Sequence, residues 1–256
     1  MKILKFEDYF RNIGIKKNDN VLVSSNLLKI FIQKKKKIIN FNPNEILDAL
    51  ISIVGKSGTI LIPTYNWDFC RGLGFHYKKT PSNSGSLGNY ALKRKDFERT
   101  KNPIYSFAVF GKKKRYLTNL KHSSCFDLKS PFGFLIKNKG KNIFIGIDNI
   151  YIDAFTFMHV AEQEIGVNYR FLKTFSGNYI HKNVKLKNAK FTMYVRRLDQ
   201  KTRRLNPKIK KKLLAKKAYI EKKFGFIQFI NIKMNVAHKI IKNDLNENKE
   251  LIILEK

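Results

Sequence analysis

His159 and Glu162, three positions apart in the segment FTFMHVAEQEIG, are the residues whose types and spacing offer acid–base chemistry. On a helix, positions three apart share a face. A carboxylate there can accept a hydrogen bond from one imidazole nitrogen and leave the other free to take a proton near neutral pH. The same spacing equally suits a surface pair, so the pair takes its meaning from its surroundings. Other candidates are less pointed. Asp68 in NWDFC suits the binding of a substrate amine, and equally an Asx turn. Cys70 and Cys125 are too few for a disulfide framework and lack CxxC spacing, so they read as reduced thiols with neither a bridge nor a metal site. Cys70 has no histidine motif beside it and reads as a packing residue. His76, His181 and His238 have no partner pattern and read as surface or satisfied histidines.

The elements that would carry these residues alternate in type. Phe6 to Ile13 has helical spacing and is stopped by Gly14. VLVSSNLL reads as a buried strand that delivers a serine loop. PNEILDALISIVG reads as a helix with Pro43 near its start, Glu45 in its first turn and Gly55 as terminator. GTILIPTYN is a second buried strand, so the order is strand, helix, strand, as in an α/β sheet. Asn66 to Gly88 is rich in Gly, Pro, Ser and aromatics and reads as a long irregular loop. SLGNYALKR follows as a short helix opened by Ser86, then YSFAVFG and NIFIGI as strands. DAFTFMHVAEQEIG reads as a helix capped by Asp153 and closed by Gly166. Beyond it, VKLKNAKFTMYVRR alternates like a half-exposed antiparallel strand, PKIKKKLLAKKAYIEKKFG reads as a basic helix, and ELIILEK as an edge strand. The expected fold is α/β, a mixed central sheet flanked by helices with a basic C-terminal α+β region. No internal repeat or linker divides it, so 1–256 is expected to be one domain.

Composition bounds the partners. The formal net charge is +33, with 52 Lys plus Arg against 19 Asp plus Glu. Lysine, isoleucine, asparagine and phenylalanine are abundant together, the pattern of an AT-rich genome, which places many lysines on solvated faces. The runs Lys34 to Lys37 and Lys112 to Arg115 fall where loops or helix ends belong. No zinc finger, RNP-type strand or suitable GxxG loop accompanies them, so no specific nucleic-acid partner is expected. No stretch approaches the roughly 20 apolar residues that span a bilayer. The N-terminal MKILKFEDYFRNIGI lacks the apolar block of a secretory signal, which sets the expectation of a cytoplasmic protein.

Taken in order, VLVSSNL, GTILIPTYNWDFC, TPSNSGSLGNYALKR, RTKNPIYSFAVFG, HSSCFDLKSPFGFL, NIFIGI and TFMHVAEQEIG resemble the aminoglycoside 3-N-acetyltransferase family, antibiotic acetyltransferases distinct from the GNAT fold. The resemblance spans roughly Val21 to Gly166, leaving 167–256 as an elaboration. Its most specific motif is TxxHxAE, carried by Thr156, His159, Ala161 and Glu162. The resemblance implies acetyl-CoA as donor, no metal, direct attack by an acceptor amine, His159 as catalytic base and Glu162 as its orienting partner. It places Ser24, Ser25 and Asn26 at the family's HSS tripeptide, of which Ser25 alone matches, and Ser106 and Ser130 at elements that bind CoA. Asn102 stands where the family often has histidine, and Phe155 where asparagine is usual. His122 occupies a recurrent position, better suited to a structural role than to catalysis.

An aminoglycoside is a polycation, and a chain this basic disfavours its approach. VNYRFLKTFSG is similar to a branch of the family found with surface-polysaccharide genes. That points to an amino-sugar acceptor, nucleotide-linked or otherwise anionic. The alternatives are acetylation of an aminoglycoside antibiotic, or a basic nucleic-acid or membrane-surface binding protein without catalysis. Arg170 and Lys173 are placed to pair with phosphate or carboxylate, or else exposed on a loop. Pro207 to Phe226, read as a basic helix with Leu213, Leu214, Ala218 and Ile220 inward, suits weak contact with an anionic membrane surface. Sequence does not specify the oligomeric state.

Overall fold

The computed structural model describes residues 5–36, 41–122, 124–148, 155–181, 184–199, 203–247 and 252–254. The N-terminal part follows the expected alternation. Helix α1 (Phe6–Asn12) buries Phe6 and Phe10, and strand β1 (Asn20–Ser25) follows. Helix α2 (Leu28–Lys36) is an element that sequence periodicity did not single out. Lys34 to Lys36 lie at its end and Lys37 lies outside the described residues. Helix α3 (Asn44–Val54) starts after Pro43, with Glu45 accepting a hydrogen bond from the Asn42 amide at 2.9 Å. Strand β2 (Thr59–Pro63) is buried along its whole length.

The expected loop holds one 3-10 turn, Asp68–Arg71, and the two-residue strand β3 (Phe75–His76). It ends at helix α4 (Ser86–Lys93), whose capping position is Gly85 rather than Ser86. Strands β4 (Glu98–Arg99) and β5 (Phe107–Gly111) follow, then helices α5 (Lys114–Asn119) and α6 (Pro131–Lys137) and strand β6 (Lys141–Ile145). Helix α7 (Met158–Ile165) carries the His159 motif. It is shorter than sequence suggests, and Asp153, the expected cap, lies outside the described residues.

After α7, strands β7 (Arg170–His181) and β8 (Val184–Arg196) form a long antiparallel hairpin. Arg170 and Lys173 are therefore strand residues, not loop residues. Strand β9 (Arg203–Leu205) precedes helix α8 (Lys208–Ala215) and strand β10 (Tyr219–Phe224), which corrects the single basic helix expected over this stretch. The helix stops where Lys217 takes φ 49°, and the tail of the segment alternates instead, Tyr219 inward and Ile220 outward. Leu213 and Ala218 are buried as expected, whereas Leu214 is 50% and Ile220 37% exposed. Strand β11 (Ile227–Lys233), helix α9 (Met234–Glu247) and strand β12 (Ile252–Leu254), which pairs with β9, complete the described chain.

The central sheet has seven strands in the order β10-β11-β6-β1-β2-β5-β4. β6, β1 and β2 run parallel, and the strands flanking them are antiparallel. Alternation along the parallel strands divides the core in two. Val21, Val23, Ile60, Ile62, Ile143 and Ile145 pack with α1, α3 and α4, while Leu22, Leu61 and Phe144 pack with α6, α7, α8 and α9. The result is a sheet between two helical layers. The carboxyl ends of β1, β2 and β6 fall side by side, the place where open α/β sheets bind ligands.

Candidate active site

A cavity of about 430 Å3 lies at those strand ends. β1 contributes Ser24 and Ser25, β2 contributes Ile62 and Pro63, and Ile147 follows β6. Tyr65 lies between β2 and the irregular loop, the loop supplies Trp67 and Ser84, and Tyr105 precedes β5. Phe155, Thr156 and His159 close it from the α7 side. Among the described lining residues none is Asp, Glu, Lys or Arg. Loss of water pushes the Tyr65 and Tyr105 phenols well up, so both stay neutral and able to donate hydrogen bonds.

His159 is held from two sides. Its Nδ1–H donates to Glu162 Oε2 at 2.6 Å, and the Phe126 ring lies edge-on at 5.0 Å. The nitrogen left for chemistry is Nε2. Glu162 is 1% exposed, and a carboxylate that deep must be fully partnered to stay ionised. Gly166 makes this possible. It ends α7 in the left-handed conformation, φ 70°, and turns the chain back so that Tyr169 and Arg170 return across the carboxylate.

Tyr169 donates its hydroxyl to Glu162 Oε1 at 2.8 Å. Arg170 Nε stands 2.7 Å from Oε2, an ion pair whose N–H is not aligned as a linear hydrogen bond. Arg170 Nη1 donates to the Tyr194 carbonyl at 3.0 Å, and the Tyr194 hydroxyl to the Val167 carbonyl at 2.7 Å. The base of the hairpin is thus fastened to the turn that follows α7.

Burial lowers the pKa of His159, as does the Arg170 charge, against the opposing pull of Glu162. Burial alone would raise the Glu162 carboxyl. Interaction with His159, the Arg170 charge and the Tyr169 hydroxyl outweigh it and hold the carboxyl below its usual range. An imidazole whose pKa is lowered, backed by a carboxylate whose pKa is lowered, is able to accept a proton at Nε2.

The other residues singled out from sequence divide. Ser24 and Ser25 line the cavity, and Ser24 Oγ lies 3.4 Å from Asn142 Oδ1. Asn26 does not line it; its Oδ1 accepts from the Leu28 amide at 3.1 Å, at the start of α2. Ser106 is fully buried and bonded to the Thr64 carbonyl at 2.7 Å and to Arg99 Nε at 2.9 Å. Ser130 caps α6 from a fully buried position. Asp68 pairs with Arg71 outside the cavity lining. Arg170 faces Glu162 rather than the cavity.

Asn102 Oδ1 accepts from the amides of Ile104 and Tyr105 at 2.9 and 3.0 Å, forming the turn that presents Tyr105. His122 Nδ1 lies 2.9 Å from the Ser124 carbonyl, and burial lowers its pKa. His76 Nδ1 accepts from the Lys78 and Lys79 amides, and His238 pairs with Glu164. Both cysteines are free, and burial pushes the Cys70 thiol up to about 11. Among the described residues no group of His, Cys, Asp or Glu is placed to hold a metal ion, and no helix is long and apolar enough to cross a membrane. Tyr65, Trp67, Ser84, Tyr105 and Tyr169 are site residues that sequence reasoning missed. The first four lie inside the motifs quoted above but carry no pattern separating a wall residue from a core one.

Three proteins of known sequence or structure resemble this chain. The SPbeta prophage-derived aminoglycoside N(3')-acetyltransferase-like protein YokD of Bacillus subtilis (strain 168) is 27% identical over 177 residues, 60% of this chain and 61% of that protein. The chain thus matches somewhat under two thirds of the length of that relative. The YokD crystal structure superposes with a TM-score of 0.74 at 20% identity, covering 95% of this chain and 98% of that one. Sisomicin-bound AAC-VIa gives 0.76 at 18% identity, over 94% and 96% of the two chains. AAC-IIIb in its binary complex with CoASH gives 0.74 at 14% identity, over 94% and 95%. These likenesses establish the α/β fold expected from sequence. The family profile described as aminoglycoside 3-N-acetyltransferase matches residues 34–245 and runs past Gly166 through Tyr169, Arg170 and the hairpin. That match covers most of the chain, and with it this protein belongs to the aminoglycoside 3-N-acetyltransferase family.

Proposed function

We propose that this chain, as one domain, transfers an acetyl group from acetyl-CoA to an amine, with His159 as general base and Glu162 as its orienting carboxylate. The observation that carries the reading is the buried Glu162 holding Nδ1 of an imidazole that lines the cavity. Acetyl-CoA supplies the thioester. The serine hydroxyls of Ser24, Ser25 and Ser84 beside the apolar Val23, Ile62 and Leu87 suit an arm that alternates amides with methylenes. An ammonium has no lone pair, so its proton must leave before nitrogen can attack. In our reading the ammonium first releases one proton to solvent, and the neutral amine attacks the thioester carbonyl. His159 Nε2 takes a second proton from that nitrogen as the N–C bond forms and returns it to the sulfur as the C–S bond breaks. Hydroxyls at the cavity wall, Tyr105 among them, are candidates to receive the developing oxyanion. A donor drawn from central metabolism fits a cytoplasmic setting.

For the acceptor, the family description and the sisomicin-bound neighbour favour an aminoglycoside over the nucleotide-linked sugar suggested by charge. One observation keeps the anionic amino sugar as a second reading: a net charge of +33 with no described carboxylate lining the cavity. An acetyl-CoA consumption assay over a panel of aminoglycosides and nucleotide-linked amino sugars tests both. Turnover of neither class would overturn the proposal.

A further inference from the structure

Glu162 faces two basic side chains of different kinds. Oε2 is shared by His159 Nδ1 at 2.6 Å and Arg170 Nε at 2.7 Å. A single buried carboxylate balances one positive charge. If the histidine supplied that charge, the pair would rest as imidazolium and carboxylate, and the imidazolium has no lone pair with which to accept a proton. A guanidinium is permanently charged and fills the balancing place without titrating.

We propose that Arg170 is a positioning residue that supplies the counter-charge to Glu162, so that His159 rests as the neutral imidazole. The inference rests on His159 being the base. Other groups that face the pair leave the charge count unchanged. The charged groups that act on His159 are Glu162, on its own helix, and Arg170. Tyr169, from the turn, and Tyr194, on β8, approach Glu162 as neutral phenols. Phe126 covers the ring without charge, and the cavity side brings no described Asp, Glu, Lys or Arg.

Arg170 is well placed for this and poorly placed to bind substrate. Its side chain is 16% exposed, its Nη1 is committed to the Tyr194 carbonyl, and it does not line the cavity. The hairpin that follows the catalytic helix thereby acquires a chemical role: its first strand residue sets the protonation state of a group eleven positions earlier.

The test is the NMR titration of the His159 imidazole in the full chain, wild type against Arg170→Gln and Arg170→Lys, beside the pH profile of kcat/KM. Arg170→Gln is expected to raise the His159 midpoint by about one pH unit or more, the usual effect of removing a nearby like charge. The acid limb of kcat/KM should move up with it, while KM for acetyl-CoA holds. Arg170→Lys should restore most of the wild-type midpoint. If Arg170→Gln fails to fold, Arg170→Met, which fills the same space without charge, is titrated instead. A His159 midpoint unchanged in a folded uncharged variant overturns the proposal, as does a rise in acceptor KM with an unmoved acid limb, which would make Arg170 a substrate ligand. The titration requires no turnover. An inactive wild type with a shifted midpoint would therefore count against the proposed reaction and not against this electrostatic role.

Discussion

Tyr169 Oη donates to Oε1 of Glu162 at 2.8 Å, the oxygen that His159 and Arg170 leave unoccupied. Removing that hydroxyl leaves a buried anion short of one donor. Tyr169→Phe should destabilise the fold by about 1–3 kcal/mol, the cost of an unsatisfied buried polar group, measured as a fall in urea midpoint. It should also lower kcat with KM for acetyl-CoA unchanged. A variant as stable and as active as wild type would mean that Glu162 is satisfied without it.

His159→Ala should lower kcat/KM by about 10²- to 10⁴-fold, the usual worth of a positioned general base, and leave acetyl-CoA affinity, read by calorimetry, nearly intact. Glu162→Gln should cost less, since it keeps an acceptor for Nδ1 while losing the charge that supports the imidazolium. A His159→Ala rate above about a tenth of wild type, less than roughly 1.4 kcal/mol of barrier, would place the base elsewhere.

The protonation of His159 also enters stability. Its native pKa is depressed below 6.5 by burial and Arg170, and that of His122 by burial. The unfolded chain therefore binds more protons than the native one as pH falls through 6.5, and native stability falls with it. Both contributions are fully present above pH 6.5 and are lost on acidification toward the depressed native values. Urea denaturation at steps from pH 8 to pH 5 should show this slope, and His159→Ala should flatten part of it. A flat wild-type curve would contradict the depressed values. The acid limb of kcat/KM should likewise lie below 6.5.

Much of the arrangement is legible in sequence because it rests on local rules. The buried runs of β1, β2 and β6 and the glycine stops at Gly55 and Gly166 follow from periodicity and backbone freedom. The pairing of His159 with Glu162 follows from helical spacing. What stays hidden is set by tertiary approach. Nothing local to Tyr169 or Arg170 shows that Gly166 swings them back over Glu162. Nothing in the lysine-rich 207–225 stretch outweighs its helical composition, and the strand half forms because β11 offers an edge to pair with. Ser130 and Ser24 read alike as small polar residues, yet one caps a buried helix and the other lines the cavity.

That last contrast is measurable. Ser130→Ala removes a helix cap whose Oγ accepts from the Gly133 amide at 3.3 Å. It should cost about 1 kcal/mol of stability and leave KM for acetyl-CoA unchanged. Ser24→Ala should do the reverse, raising that KM with little change in the unfolding midpoint. Exchange of the two phenotypes would return Ser130 to the donor site.

Salt dependence separates the two acceptor readings through the sign of the acceptor's charge. The chain carries +33, and a net field of that sign attracts anions and repels cations until ions screen it, with a Debye length of about 10 Å at 0.1 M. Acetyl-CoA carries several phosphate charges, so its KM should rise as salt is added. An aminoglycoside such as sisomicin is a polycation and meets the opposite field, so its KM should fall over the same range. A nucleotide-linked amino sugar should behave like acetyl-CoA. Steady-state kinetics from 20 mM to 500 mM potassium chloride, with each acceptor varied at saturating donor and acetyl-CoA varied at saturating acceptor, read all three slopes. On the aminoglycoside reading sisomicin turns over, and its kcat/KM increases with salt. Failure of sisomicin at every salt concentration, beside efficient turnover of the sugar nucleotide at low salt, would replace the polycation with an anionic acceptor. An acetyl-CoA KM indifferent to salt would show that the net charge does not reach the cavity, and the electrostatic case for the anionic acceptor would fall with it.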